Sequence, residues 1–147
     1  MSIQVKLTED MKKAMKEGDK IRLSTIRLLL AQLKDTKIAK GDILSEEEEI
    51  AVLTSAAKKR KESIKAYAEG GREDLVERES KELEIISSYL PEQLSEKEIE
   101  SKISQIIEKT GAVSLKDLGI VMREAMQEFK GRADGKLVQQ LVRKKLE

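Results

Sequence analysis

Apolar residues recur at intervals of three and four along nearly the whole chain, and no stretch keeps the period-two alternation of a half-buried strand. Each segment can then bury a continuous stripe only as an amphipathic helix, so the expected fold class is all-α. The first helix is expected to begin after Thr8, with Glu9 and Asp10 in its first turn, and to end at Gly18. Asp19 caps a second, whose stripe of Ile21, Ile26, Leu29, Leu30 and Leu33 runs towards Gly41. Ser45 with Glu48 is a capping box for a long third helix carrying Ile50, Leu53, Ala57, Ile64 and Tyr67 as far as Gly70-Gly71. A fourth bears Leu75, Leu83, Ile86 and Leu90 and is closed by Pro91, the single proline.

Shorter helices follow. Ser95 and Glu98 form a second capping box, with Leu94 and Ile99 as its hydrophobic staple and Gly111 as its stop. Ser114 and Asp117 start the next, stapled by Val113 and Leu118, and its stripe of Val121, Met122, Ala125, Met126 and Phe129 is the cleanest in the chain. Asp134 caps the last, which bears Leu137, Val138, Leu141 and Val142. The expected organisation is a long-helix N-terminal domain over 1–90, a linker over 91–94 and a small three-helix domain over 95–147. A unit of that size is marginal by itself.

Composition removes much chemistry. The 147 residues include no cysteine and no histidine, which excludes thiolate zinc sites, cysteine nucleophiles and the commonest neutral-pH base. Two tyrosines and one phenylalanine make aromatic base-stacking platforms improbable. A net charge of +1 rules out a simple polycation but permits a local basic face. No run approaches the ~18 apolar residues of a membrane span. The N-terminus has early acids and no apolar h-region, unlike a secretory signal, so the expected location is cytoplasmic. No catalytic residue, cofactor or metal is expected.

Three charged features carry competing readings. Glu46 to Glu49 are consecutive helical acids; they point around the cylinder, suiting a helix N-terminus better than a metal. Lys58-Lys59-Arg60-Lys61 with Lys65 is the densest basic stretch, read either as a phosphate contact or as a solvated face offset by Glu62 and Glu69. The run from Lys130 through Gly131, Arg132, Ala133, Asp134 and Gly135 to Lys136 is a glycine-flanked loop feeding a helix N-terminus, where free amides and the dipole favour anions. It is also an ordinary interhelical turn that uses glycine for its backbone. It falls short of a Walker phosphate loop, and no Ser or Thr follows Lys136. The last eighteen residues hold six basic residues against two acidic ones. Lys130, Arg132, Lys136, Arg143 and Lys144 are therefore the candidate nucleic-acid-binding residues.

Tyr89-Leu90-Pro91-Glu92-Gln93-Leu94-Ser95, Leu118-Gly119-Ile120-Val121-Met122 and Gly131-Arg132-Ala133-Asp134-Gly135-Lys136-Leu137-Val138 together resemble the GatB/YqeY family, most closely its small stand-alone bacterial members. The C-terminal part is similar to the helical tail of the B subunit of the tRNA-dependent amidotransferase, an enzyme that amidates glutamyl- or aspartyl-tRNA with glutamine as amido donor. This resemblance implies a tRNA-binding or accessory module, or alternatively a docking module for an amidotransferase or aminoacyl-tRNA synthetase. The carbon–nitrogen ligase association comes by kinship alone, since the B subunit's catalytic cradle has no counterpart in the sequence.

Overall fold

A computed structural model describes residues 2–129 and 131–147; Met1 and Lys130 lie outside the described residues. Every regular element among them is helical, in agreement with the periodicity. The chain divides into two compact units, Met1–Pro91 and Glu92–Glu147.

The first unit contains α1 (Ile3–Glu17), α2 (Lys20–Lys40), α3 (Glu46–Glu69) and α4 (Glu73–Ser87). α1 starts well before Thr8. Ser2 is its cap, accepting the Val5 N–H, and Thr8 sits inside the helix with its hydroxyl donating to the Gln4 carbonyl. Glu9 and Asp10 resembled a first turn, but Ile3, Leu7, Met11 and Ala14 form a single stripe that carries the helix back through them. Gly18 ends α1 in the left-handed conformation, at φ 71°. Asp19 accepts the Arg22 N–H, and the Ser45–Glu48 capping box forms in full. The core brings together Leu7, Ile26, Leu29, Leu33, Leu53 and Ile86.

Charged groups enter that core from α3. Arg60, counted in the basic stretch that either reading takes as exposed, is only 8% exposed. Its Nε lies 3.3 Å from Glu82 and 3.6 Å from Glu79, so it ties α3 to α4. Burial, and then the Glu82 charge, push the Glu79 carboxyl above its ordinary value, against the pull of Arg60. Glu49 is buried too and accepts the Gln4 N–H at 2.9 Å, setting an anion at the N-terminus of α1. Tyr89 donates its hydroxyl to Asp10, and burial followed by that carboxylate raises its pKa.

The second unit holds α5 (Glu96–Thr110), a single 3₁₀ turn (Leu115–Asp117), α6 (Leu118–Glu128) and α7 (Gly135–Leu146). Its core is wholly apolar: Ile99, Ile103, Val121, Phe129, Val138 and Val142 are almost completely enclosed. Leu94 and Ile99 are both buried, as a staple requires. Ser95 accepts the Glu98 N–H, but the Glu98 carboxylate takes the Ser95 hydroxyl at 3.1 Å instead of completing the box on the backbone. The staple of Val113 with Leu118 is not made. Val113 is 85% exposed, and its N–H donates to the Asp117 carboxylate, which fixes the turn before α6 by a polar bond.

Candidate nucleic-acid interface

The loop before α7 is built by fastening it to the segment that opens the unit. Phe129 anchors one end in the core. Gly131 adopts φ 67°, a conformation that costs an L side chain, which explains glycine there. From that bend, the Arg132 carbonyl accepts the Leu94 N–H at 2.8 Å, and the Gly131 carbonyl accepts the Gln93 amide at 2.6 Å. The Arg132 guanidinium donates from Nε to the Glu92 carbonyl at 3.1 Å. Two motifs far apart in sequence are thus the halves of a single clasp. Gln93 and the Glu92 carbonyl went unassigned by sequence reasoning; the co-occurrence of the two motifs was the signal that could have paired them.

Each candidate residue now has a place. Lys130 lies outside the described residues. Arg132 is half-buried and committed on one edge to the clasp, so its role is in large part architectural. Lys136, Arg143 and Lys144 are exposed on α7. Lys136, Gln140 and Arg143 share one side by spacing of four and seven, with Lys144 at its edge. The N-terminus of α7 is less open to anions than the glycine-flanked loop suggested. Asp134 Oδ1 accepts the Lys136 N–H at 3.2 Å, so the chain's own carboxylate stands at the positive end of the dipole. Arg143, Lys144 and Lys145 occupy the last turn, where cations also stabilise the helix itself. A diffuse cationic face along α7 is what remains available to phosphates.

The acidic run of α3 makes structural contacts. Glu48 completes the capping box and pairs with Lys40, and Glu49 serves α1. Among the described residues, no group of three or more acidic side chains is placed to hold a metal ion. Lys58, Lys61 and Lys65 are exposed on α3, with Arg60 turned away from them. No helix among the described residues is long and apolar enough to cross a membrane.

Comparison with known proteins gives the following. The profile of a family described as Yqey-like protein matches residues 4–146. The chain is 40% identical over 104 residues to "Altered inheritance of mitochondria protein 41, mitochondrial" of Lachancea thermotolerans, a match covering 69% of this chain and 56% of that protein. The protein of the same name from Vanderwaltozyma polyspora is 34% identical over 119 residues, covering 76% and 64%. That from Saccharomyces cerevisiae (strain YJM789) is 32% identical over 129 residues, covering 84% and 68%. In the first two the match spans less than two thirds of the relative's length. These relatives are fungal, whereas the motifs pointed to bacterial proteins. Their names place them in mitochondria, which overturns the expectation of a cytoplasmic location. The physical reason is plain: the missing apolar h-region speaks only to secretion, because mitochondrial transit peptides are amphipathic and have none.

Proposed function

Because the chain belongs to the YqeY-like family, we propose that it acts as a non-catalytic RNA-binding accessory module, with tRNA as the ligand class. The observation that carries this reading is the outward face of α7, where Lys136, Arg143 and Lys144 are exposed and no acid lies between Asp134 and Glu147. Recognition is of shape and phosphate, as suits a helical surface without aromatic stacking groups. The choice of tRNA rests on the resemblance of the motifs at Leu118–Met122 and Gly131–Val138 to the amidotransferase B-subunit tail. In this reading, amidation with glutamine as nitrogen donor belongs to the enzyme that the module accompanies.

Filter binding of total tRNA over a range of salt tests it. Affinity should fall steeply with salt, and Lys136→Ala with Arg143→Ala should weaken binding similarly across tRNAs and flatten the log–log slope by somewhat under about two units. Absence of salt-dependent binding at low ionic strength would overturn the reading. A specific observation favours a second one. Val113 and Ile120 are 85% and 51% exposed, and the Cβ position of Gly119, beside Ile120 in sequence, is open. An apolar edge of this kind suits docking onto a protein partner, and a partner captured through it without any RNA affinity would decide for that role.

A further inference from the structure

A further concentration of positive charge, which no motif had singled out, lies on the α1–α2 hairpin. Residues 12–40 contain nine basic and three acidic side chains. Lys12, Lys16, Lys20, Arg27 and Lys34 are all exposed, and none makes an ion pair or hydrogen bond among the described residues. The neutralised cations of the pair are Arg22, held by Asp19, and Lys40, held by Glu48.

Their placement contrasts with that in the three middle helices. α3, α4 and α5 each carry acids in the first turn, four of them in α3. α1, α2, α6 and α7 carry none. α2 instead begins with Lys20, a cation at the positive end of the helix dipole, which disfavours the folded helix. The Asp19 cap serves the α2 amides and Arg22, and Lys20 itself has no ion pair among the described residues, so its charge is open to an external anion.

The geometry indicates what kind. Lys20, Arg27 and Lys34 recur every seven residues along the outward side of α2, so the cations stand about 10.5 Å apart along the axis. Between the first two lies a shallow hollow of about 540 Å³, bordered by Lys20, Leu23, Ser24, Arg27 and Leu28. Asp74 and Glu77 border the other side of Lys20, but Arg78 and Lys81 stand there with them. A row of unpaired cations at even spacing, with one hydroxyl and no aromatic group, suits a polyanion read by its backbone.

We infer that the outward face of α2, flanked by Lys12 and Lys16 of α1, is a second phosphate-contact surface for RNA, separate from that on α7. This rests on the RNA-binding reading and extends it to the N-terminal unit.

The full chain is assayed with total tRNA by filter binding over a salt series, using Lys20→Gln/Arg27→Gln/Lys34→Gln, the independent pair Lys12→Gln/Lys16→Gln, and Lys136→Gln/Arg143→Gln. Circular dichroism checks that helicity is kept. The triple α2 variant is expected to lose about tenfold or more in affinity at low salt and to flatten the salt slope by about two units, the α1 pair by about one. Wild-type affinity and slope in both hairpin variants, with loss confined to the α7 pair, would overturn this inference and leave the proposed function standing. No tRNA binding by the wild type would overturn both. Binding to phosphatidylserine vesicles with no RNA affinity would overturn it in favour of a membrane surface.

Discussion

In Met1–Pro91 the helices are tied by ionised side chains: Arg60 with Glu79 and Glu82, Glu49 on the Gln4 amide, Tyr89 on Asp10. In Glu92–Glu147 the cross-ties at the loop before α7 end on main-chain carbonyls, and the buried side chains are apolar. Length explains the difference. α2 and α3 have 21 and 24 residues, so several alignments one turn apart bury comparable apolar area, and a charged tie that fits only one of them selects it. The 11 to 15 residues of α5, α6 and α7 offer few such alternatives, and apolar packing with one clasp is enough. Removing an apolar group therefore leaves a cavity in one unit, whereas removing Arg60 strands two carboxylates in the other.

The largest effect is expected from Phe129→Ala, which empties the centre of the apolar unit and should cost about 3–5 kcal/mol in denaturant unfolding. Arg60→Ala strands two carboxylates that are 21% and 14% exposed, and should cost about 2–3 kcal/mol. Arg60→Met strands the same carboxylates and should cost about as much. Replacing the whole triad, Arg60→Met with Glu79→Leu and Glu82→Leu, strands nothing: if the triad selects alignment, that variant should keep its stability but give broadened amide spectra. Gly131→Ala should cost about 1–2 kcal/mol, the penalty for a side chain in the left-handed region.

Two smaller effects, both in the first unit, depend on pH. Glu79 titrates above an ordinary 4.5 when folded, so its contribution is fully present below that value and is lost as pH rises through the folded one. Glu79→Gln should raise the melting temperature at pH 7 and leave it unchanged at pH 3. Glu48 is held at about 2 by the hydrogen bond from Lys40 and then by the Ser45 backbone; its contribution is present above 4.5 and fades as pH falls towards 2. Glu48→Gln should slightly reduce the acid sensitivity of melting, a small change because the group is exposed.

The helical class could be read from periodicity, and four caps from single residues: Asp19, Ser45, Ser95 and Asp134 each accept the amide expected of them. Such signals act over three or four positions and survive in one sequence. What was hidden depends on distance or context. Ser2 outcompetes Thr8 because the apolar stripe reaches back to Ile3, and Val113 stays exposed because Asp117 satisfies its amide. Arg60 looks like its lysine neighbours until α4 brings Glu79 and Glu82 against it. Of the candidate face, the exposure of Lys136, Arg143 and Lys144 followed from helical spacing, but the hydrogen bond from Arg132 to Glu92 leaves no mark in either motif.

The clasp also bears on the order in which the smaller unit is assembled. Gln93 and Gly131 are 38 positions apart, so joining them closes a ring around α5 and α6. Ring closure at that separation costs about 3 kcal/mol of chain entropy, as much as the three hydrogen bonds of the clasp return. Closure is therefore favourable only after those helices have packed and shortened the path between the ends. The clasp then behaves as a late latch: Gln93→Ala should quicken unfolding in stopped-flow measurements and leave the folding rate nearly unchanged.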